Sequence, residues 1–434
     1  MKGSETIIRG CRLVRPGFDE PEGPVDLLLR DGRVAAVAQA GALPAAGAEQ
    51  LEAHGLCAAP GLVDMHVHLR DPGQTEKEDI ESGCRAAAAG GVTSLAAMPN
   101  TSPAIDTPEL VRYEKEKAGR CGGGVRVYPI AAATKGLAGG QPADYGALRA
   151  AGAVAFSDDG RPVKDAAMML AAMRGAAANG SFVISHCEEP SLVHGGIINE
   201  GAISRELRVP GVPAAAEELQ VAREAVLAGA AGLPVHIAHV STAASVAIIR
   251  EAKRLGVRIT CETCPHYFSL DETLLRGRDA DFRMNPPLRT RADVEAVIAG
   301  LKDGTIDAIV TDHAPHTPRE KADFEKAPNG AAGLETSLAA GITYLVRPGH
   351  LTLGALLRKM SLAPARILGI DAGRLVPGAP ADIVLFDPER RWKVEPEKFR
   401  SKARNSPFKG RELYGRVEMT LAGGNVIYRA SQAD

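Results

Sequence analysis

The sequence predicts an α/β protein built on a parallel (β/α)8 barrel, with a small β domain made from its two ends. Three observations carry that reading. Eight short apolar runs alternate with helical stretches rich in Ala, Leu and Glu through the middle of the chain, the pattern of a parallel sheet with helices outside it. Polar, metal-competent side chains gather where those runs stop, the end at which barrels carry their chemistry. Short strands rich in branched residues lie at both ends of the chain, and chain ends are often close in space.

In order, Thr6 to Val14 and Val25 to Val37 read as strands, with Asp31-Gly32 as a turn. Residues 1–56 are too few to fold alone. Ala381–Phe386, Arg416–Leu421 and Asn425–Tyr428 repeat the texture near the other end, so residues 1–56 and 371–434 are expected to form one β domain and 57–370 the barrel. The barrel strands are expected at Leu62–Val67, Val92–Met98, Val125–Ala131, Ala153–Phe156, Phe182–Ser185, Val235–Val240, Val257–Thr263 and Ile306–Thr311. Helical stretches follow most of them: Asp79–Ala89, Pro108–Ala118, Asp165–Asn179, Ala214–Ala228, Ala243–Leu255 and Arg291–Lys302.

The bulk numbers exclude several classes. The chain has 434 residues, room for a barrel plus a smaller domain. At 45% hydrophobic and 24% charged it is an ordinary globular composition. A net charge of −2 suggests neither a nucleic-acid nor a membrane partner. No apolar run approaches the roughly 18 residues of a membrane span. Seven dispersed Cys fit a reducing cytoplasm, and Cys261-x-x-Cys264 has no second pair to complete a zinc site, so it reads as strand packing. Met1-Lys2-Gly3-Ser4-Glu5 lacks the basic-then-apolar pattern of an export signal.

The chemistry starts at Asp64-Met65-His66-Val67-His68-Leu69-Arg70. In a strand, side chains two apart share a face, so His66 and His68 can hold one cation where the first strand ends. The other strand ends carry Asn100, Ser157-Asp158-Asp159-Gly160, His186-Cys187-Glu188-Glu189, His236 with His239, and Asp312-His313-Ala314-Pro315-His316. A His and carboxylate set favours zinc, with manganese or cobalt as replacements. The ligands exceed what one tetrahedral ion needs, and two ions sharing a carboxylate would account for the surplus. Such a pair would hold a hydroxide and lower its pKa, for attack on a carbonyl, amide or phosphoryl group. Arg70, two residues past His68, is placed to take a substrate carboxylate, and Asn100 and Asn285 add amides suited to a small polar substrate. Asp312 has two candidate roles, metal ligand and proton carrier to a leaving nitrogen. His316 would contact substrate or hold its loop, and the charged stretch Thr317–Gly330 has the texture of a lid.

Pro60–Arg70, Met98-Pro99-Asn100-Thr101, Ser157–Gly160, His186–Glu189, His236–Ser241, Asn285-Pro286-Pro287-Leu288-Arg289, Thr311–His316 and the tail Ser401–Phe408 together resemble the class I bacterial dihydroorotases of the amidohydrolase superfamily. The resemblance spans nearly the whole chain. It implies a (β/α)8 TIM-like barrel with a small β-sandwich from both termini. It implies reversible cyclisation of N-carbamoyl-L-aspartate to L-dihydroorotate in pyrimidine synthesis, with one or two zinc ions per subunit. His66 and His68 would hold one zinc, His186 and His239 the other, and Asp159 would bridge them. Asp312 would bind the first zinc and act as general acid/base, while Arg70, Asn100, Asn285 and His316 would bind substrate. A cytoplasmic homodimer is expected, with aspartate carbamoyltransferase as a further partner.

The sequence departs from the wider superfamily in two places. No lysine lies on Ala153–Phe156 to bridge the metals and Lys164 falls beyond the turn, which makes Asp159 the bridging candidate. Asn329 also stands where an aromatic residue is expected. The competing readings are dihydropyrimidinase or allantoinase, whose rings lack the carboxylate that Arg70 suits, and a non-catalytic partner of aspartate carbamoyltransferase, which would be expected to have lost metal ligands.

Overall fold

A computed structural model describes residues 5–44 and 47–431. Met1–Ser4, read above for an export signal, lie outside the described residues, as do 45–46 and 432–434 at the margins of the expected β domain. The first strands are β1 (Glu5–Leu13), β2 (Glu22–Arg30), β3 (Arg33–Gln39), β4 (Glu49–Glu52) and β5 (Cys57–Pro60). The β2–β3 turn falls on Asp31 and Gly32, at φ 50° and 73°, the left-handed pair that a tight hairpin favours. Barrel strands follow as β6 (Leu62–Val67), β7 (Val92–Ala97), β8 (Arg126–Ala132), β9 (Ala155–Ser157) and β10 (Val183–Ser185). After a short excursion through β11 (Ile198–Asn199) and β12 (Gly211–Val212) come β13 (Val235–Ile237), β14 (Ile259–Thr263) and β15 (Ala308–Ile309). The chain closes with β16 (Ile383–Lys393), β17 (Glu412–Ala422) and β18 (Asn425–Arg429).

The eight barrel strands lie in the order β6-β7-β8-β9-β10-β13-β14-β15, each parallel to the next. The seam between first and last is drawn together by polar bonds. Val67 bridges to His313, the His68 N–H donates to His313 O at 2.9 Å, and the Thr311 hydroxyl donates to Asp64 at 2.6 Å. This is the (β/α)8 barrel the alternation predicts. Both ends of the chain build a second, mixed sheet in the order β18-β17-β16-β5-β1-β2-β3, with β4 beside β1. The ends meet where β16 pairs antiparallel with β5 and β5 pairs parallel with β1, so residues 57–60 are hydrogen-bonded in the terminal sheet.

Local chemistry sets the helix ends. Helix Ile80–Ala89 starts at Asp79, whose carboxylate accepts from Ser82 N at 2.7 Å. It stops at Gly90, where a Cβ would lie 2.0 Å from Leu334 O. Helix Arg291–Asp303 starts with a reciprocal Thr290–Asp293 cap and stops at Gly304, φ 85°. Successive strand residues divide between two apolar clusters: Val183 and Ile309 pack with the surrounding helices, Ile184 and Val310 face the other way. No helix among the described residues is long and apolar enough to cross a membrane.

Candidate metal and active site

Side chains from β6, β9, β10, β13 and β15, or from the residues just beyond them, converge at one end of the barrel. His66 is 0% exposed. Its Nδ1 donates to Glu262 Oε1 at 2.6 Å, which leaves the Nε2 lone pair pointing at Asp159 Oδ1 (3.4 Å) and Asp312 Oδ1 (3.6 Å). His68 is set the same way: Nδ1 donates to Asn100 Oδ1 at 2.8 Å, and Nε2 stands 3.1 Å from Asp312 Oδ1 and 3.5 Å from Asp159 Oδ2. Asp159 also lies 3.5 Å from His186 Nδ1 and 3.9 Å from His239 Nε2, and those two nitrogens are 2.7 Å apart. The structure thus brings together all six residues singled out as ligands.

The donor set fits a metal centre. Ligands about 2.0–2.1 Å from a tetrahedral ion sit roughly 3.3 Å from one another, close to the 3.6 and 3.1 Å that separate Asp312 Oδ1 from His66 Nε2 and His68 Nε2. Two clusters, His66/His68/Asp312 and His66/Asp159/His239, each offer donor atoms within 4.8 Å of one another. His66 Nε2 and Asp159 Oδ1 are buried with no hydrogen-bond partner, a costly arrangement unless something else occupies the space between them. The bridging position is Asp159 itself, not a lysine.

Electrostatics agree with the geometry. Burial works against the charge on Asp312, but the imidazoles of His68, His66 and His239 that surround it outweigh burial and hold the carboxyl below the usual range. Burial is likewise outweighed at Glu262, which His66 and His236 hold down to about 2. The backbone is bent at the same places. Arg70, His239 and Asp312 adopt positive φ of 58°, 31° and 47°, which turns the chain out of its strand and aims each side chain; such strain gathers at functional sites.

The expected substrate residues surround this cluster. Arg70 is buried, its Nε donating to Pro315 O at 3.3 Å, with Nη2 3.5 Å from His316 Nε2. Asn285 Nδ2 stands 3.4 Å from His186 Nε2. Asn100 braces the cluster as well as lining its mouth: besides holding His68, its Nδ2 donates to Asp159 Oδ2 at 3.3 Å. His316 Nε2 donates to Asn329 O at 2.9 Å. The stretch after it is not loosely solvated. Lys321 is buried and donates to the carbonyls of Arg283, Pro328 and Gly330 at 3.0–3.2 Å.

Sequence reasoning missed Glu262, which joins His66 to His236 across the barrel, with His236 Nε2 3.1 Å away. A lone acidic residue inside the otherwise uncharged strand Ile259–Thr263 was the available signal. His236, three residues before His239, bonds through Nδ1 to Thr260 Oγ1 at 2.8 Å. Asp158, next to Asp159, instead accepts from the Ala133 and Thr134 N–H groups at 2.9 Å and holds a loop.

The family described as Dihydro-orotase-like matches residues 55–245, and the one described as Amidohydrolase family matches residues 211–428. The dihydroorotase of Citrifermentans bemidjiense is 50% identical over 98% of this chain and 99% of its own length. That of Syntrophus aciditrophicus is 48% identical over the same shares. Among solved structures, the L-hydantoinase (dihydropyrimidinase) of Arthrobacter aurescens superposes with a TM-score of 0.87 at 26% identity, covering 98% of this chain and 96% of that one. By family match and fold the chain is an amidohydrolase. Within that class the chain belongs to the dihydroorotase family.

Proposed function

We propose that this chain is a zinc-dependent dihydroorotase that interconverts N-carbamoyl-L-aspartate and L-dihydroorotate. The observation that carries the reading is the convergence of His66, His68, Asp159, His186, His239 and Asp312 at one barrel end, with the Arg70 guanidinium buried beside them. His66 and His68 would hold one zinc with Asp312, His186 and His239 a second, with Asp159 between. Bound there, zinc would supply the Lewis acidity that makes a ring amide open to attack by water.

The remaining work falls to the chain. Arg70 Nη1 donates to no described protein atom, so it is available to a carboxylate in charge-assisted fashion. Asn100 and Asn285 flank the ring, and His316 lies on the Arg70 side. In the hydrolytic direction the ring C–N bond breaks. Asp312 takes the proton of the attacking water and returns it to the departing nitrogen; ring closure reverses these transfers. Glu262 and Asn100 fix the tautomers of His66 and His68 throughout. Dihydrouracil and allantoin lack the carboxylate that Arg70 meets, which favours dihydroorotate over the substrates of the structurally similar hydantoinases. The full set of ligands argues against a non-catalytic role. The family resemblance supports a cytoplasmic homodimer able to engage aspartate carbamoyltransferase, and sedimentation with and without that partner reads both.

The test is ring opening of L-dihydroorotate by the purified chain, before and after chelation and zinc readdition, beside allantoin. Zinc-dependent turnover of dihydroorotate alone is expected. Turnover of allantoin in its place would overturn the substrate assignment.

A further inference from the structure

The tail motif Ser401-Lys402-Ala403-Arg404-Asn405 runs from the terminal sheet back to the barrel mouth, where the proposed chemistry gives it no part. It docks at two points. Ser401 Oγ donates to the buried Glu78, which also accepts from His313 Nε2 at 3.1 Å, one residue past Asp312. Four residues on, Asn405 is 3% exposed and uses all of its amide. Its Oδ1 accepts the His316 N–H at 3.2 Å, and its Nδ2 donates to Gly330 O at 2.9 Å and Ala314 O at 3.4 Å. Its backbone carbonyl accepts the Ala332 N–H at 2.8 Å.

These bonds pin both ends of the loop between His316 and Gly330. The two ends touch closely. His316 Nε2 bonds to Asn329 O at 2.9 Å, and a Cβ added at Gly330 would come 3.0 Å from His316 Nε2 and 2.6 Å from Ala314 O. His316 Nε2 is also 3.5 Å from Arg70 Nη2. The placement of the imidazole against the guanidinium is therefore set by where the loop ends are held. The fork needs an acceptor and a donor on one short side chain. Aspartate would turn a second acceptor onto two carbonyls, and serine would not span the gap.

We propose that Asn405, contributed by the far end of the chain, is a positioning residue for substrate binding: it holds the His316 imidazole and the Gly330 turn in register with Arg70. The inference rests on the proposed reading of His316 as a substrate contact.

The test uses the full, zinc-loaded chain and the variants N405A, N405D, H316A and N405A/H316A. It reads kcat and KM for L-dihydroorotate, zinc content, and amide exchange at His316 and Ala332. Losing the amide's bonds in N405A is expected to raise KM about tenfold with kcat nearly constant and zinc content full, and to speed exchange at His316. N405D retains the acceptor for the His316 N–H, so protection there persists, as it does at Ala332, whose partner is the backbone carbonyl, while KM increases severalfold through loss of the bonds to Gly330 O and Ala314 O. The double variant should match H316A. If H316A leaves KM unchanged, the substrate reading of His316 fails whatever Asn405 does. If H316A raises KM while N405A does not, this inference alone fails. A fall in kcat with loss of zinc in N405A would also overturn it, because the residue would then act through the barrel. Should N405A not fold, an unchanged KM in the isosteric N405D overturns it equally.

Discussion

Replacing Glu262 by Gln changes one buried atom and should loosen the metal centre. Glu262 is 0% exposed; its Oε1 accepts from His66 Nδ1 at 2.6 Å, and its Oε2 lies 3.1 Å from His236 Nε2. A charge-assisted bond of this kind contributes about 1.5–3 kcal/mol. Glutamine has the same shape, so no cavity forms, but its NH2 group must now face one of the two imidazoles. His66 then loses either its N–H acceptor or the partner charge that makes Nε2 a strong donor to a cation. Zinc affinity should fall about 10- to 100-fold, the usual consequence of removing a carboxylate behind a metal-binding histidine. Competition with a chelator of known affinity measures this directly, with the melting temperature as a control for folding. Zinc affinity within twofold of the parent, in a folded variant, would refute the idea that Glu262 sets the His66 tautomer.

Two other perturbations follow from the structure. Asp312→Asn keeps the shape but cannot carry the proton, so kcat for L-dihydroorotate should fall about 10²- to 10⁴-fold while circular dichroism stays unchanged; turnover near that of the parent would remove Asp312 from the proton path. Asp26 is buried in the terminal sheet, where it accepts from Gly10 N and Gly41 N at 2.9 Å and from Arg9 at 2.6 Å. Burial opposes its charge, but these bonds outweigh burial and lower its pKa below 3.8. Its stabilisation is therefore complete above pH 3.8 and is lost as pH falls through the folded-state value. Asp26→Asn should cost about 2–4 kcal/mol near neutral pH and flatten this part of the acid dependence in urea titrations; an unchanged midpoint would contradict it.

Much of the barrel is legible in the sequence because each strand is buried on both faces and reads as an apolar run. Leu62–Val67 matches its expected bounds to the residue. Others stop early for a physical reason. The run expected to reach Val240 leaves the sheet after Ile237, and the last strand is only Ala308–Ile309. Beyond both, His239 and Asp312 take left-handed backbone, which an apolar pattern cannot announce. The cluster of His and Asp side chains was legible because strand ends concentrate function. What supports the ligands was not. Glu262 reads as one strand position among five, and Asn405 meets His316 from 89 residues away. Hydrogen bonds between distant segments leave no local periodicity to read.

On the proposed reading, the site selects its substrate by the carboxylate facing Arg70. The most direct measurement is kcat/KM for L-dihydroorotate against dihydrouracil, the same ring without the carboxylate, in the parent chain and in Arg70→Met. The parent should strongly prefer dihydroorotate. Loss of a charge-assisted contact of about 1.5–3 kcal/mol should lower that preference about 10- to 150-fold in the variant while leaving dihydrouracil turnover and zinc content unchanged. Equal use of both rings by the parent, or an equal loss for both in Arg70→Met, would contradict the claim.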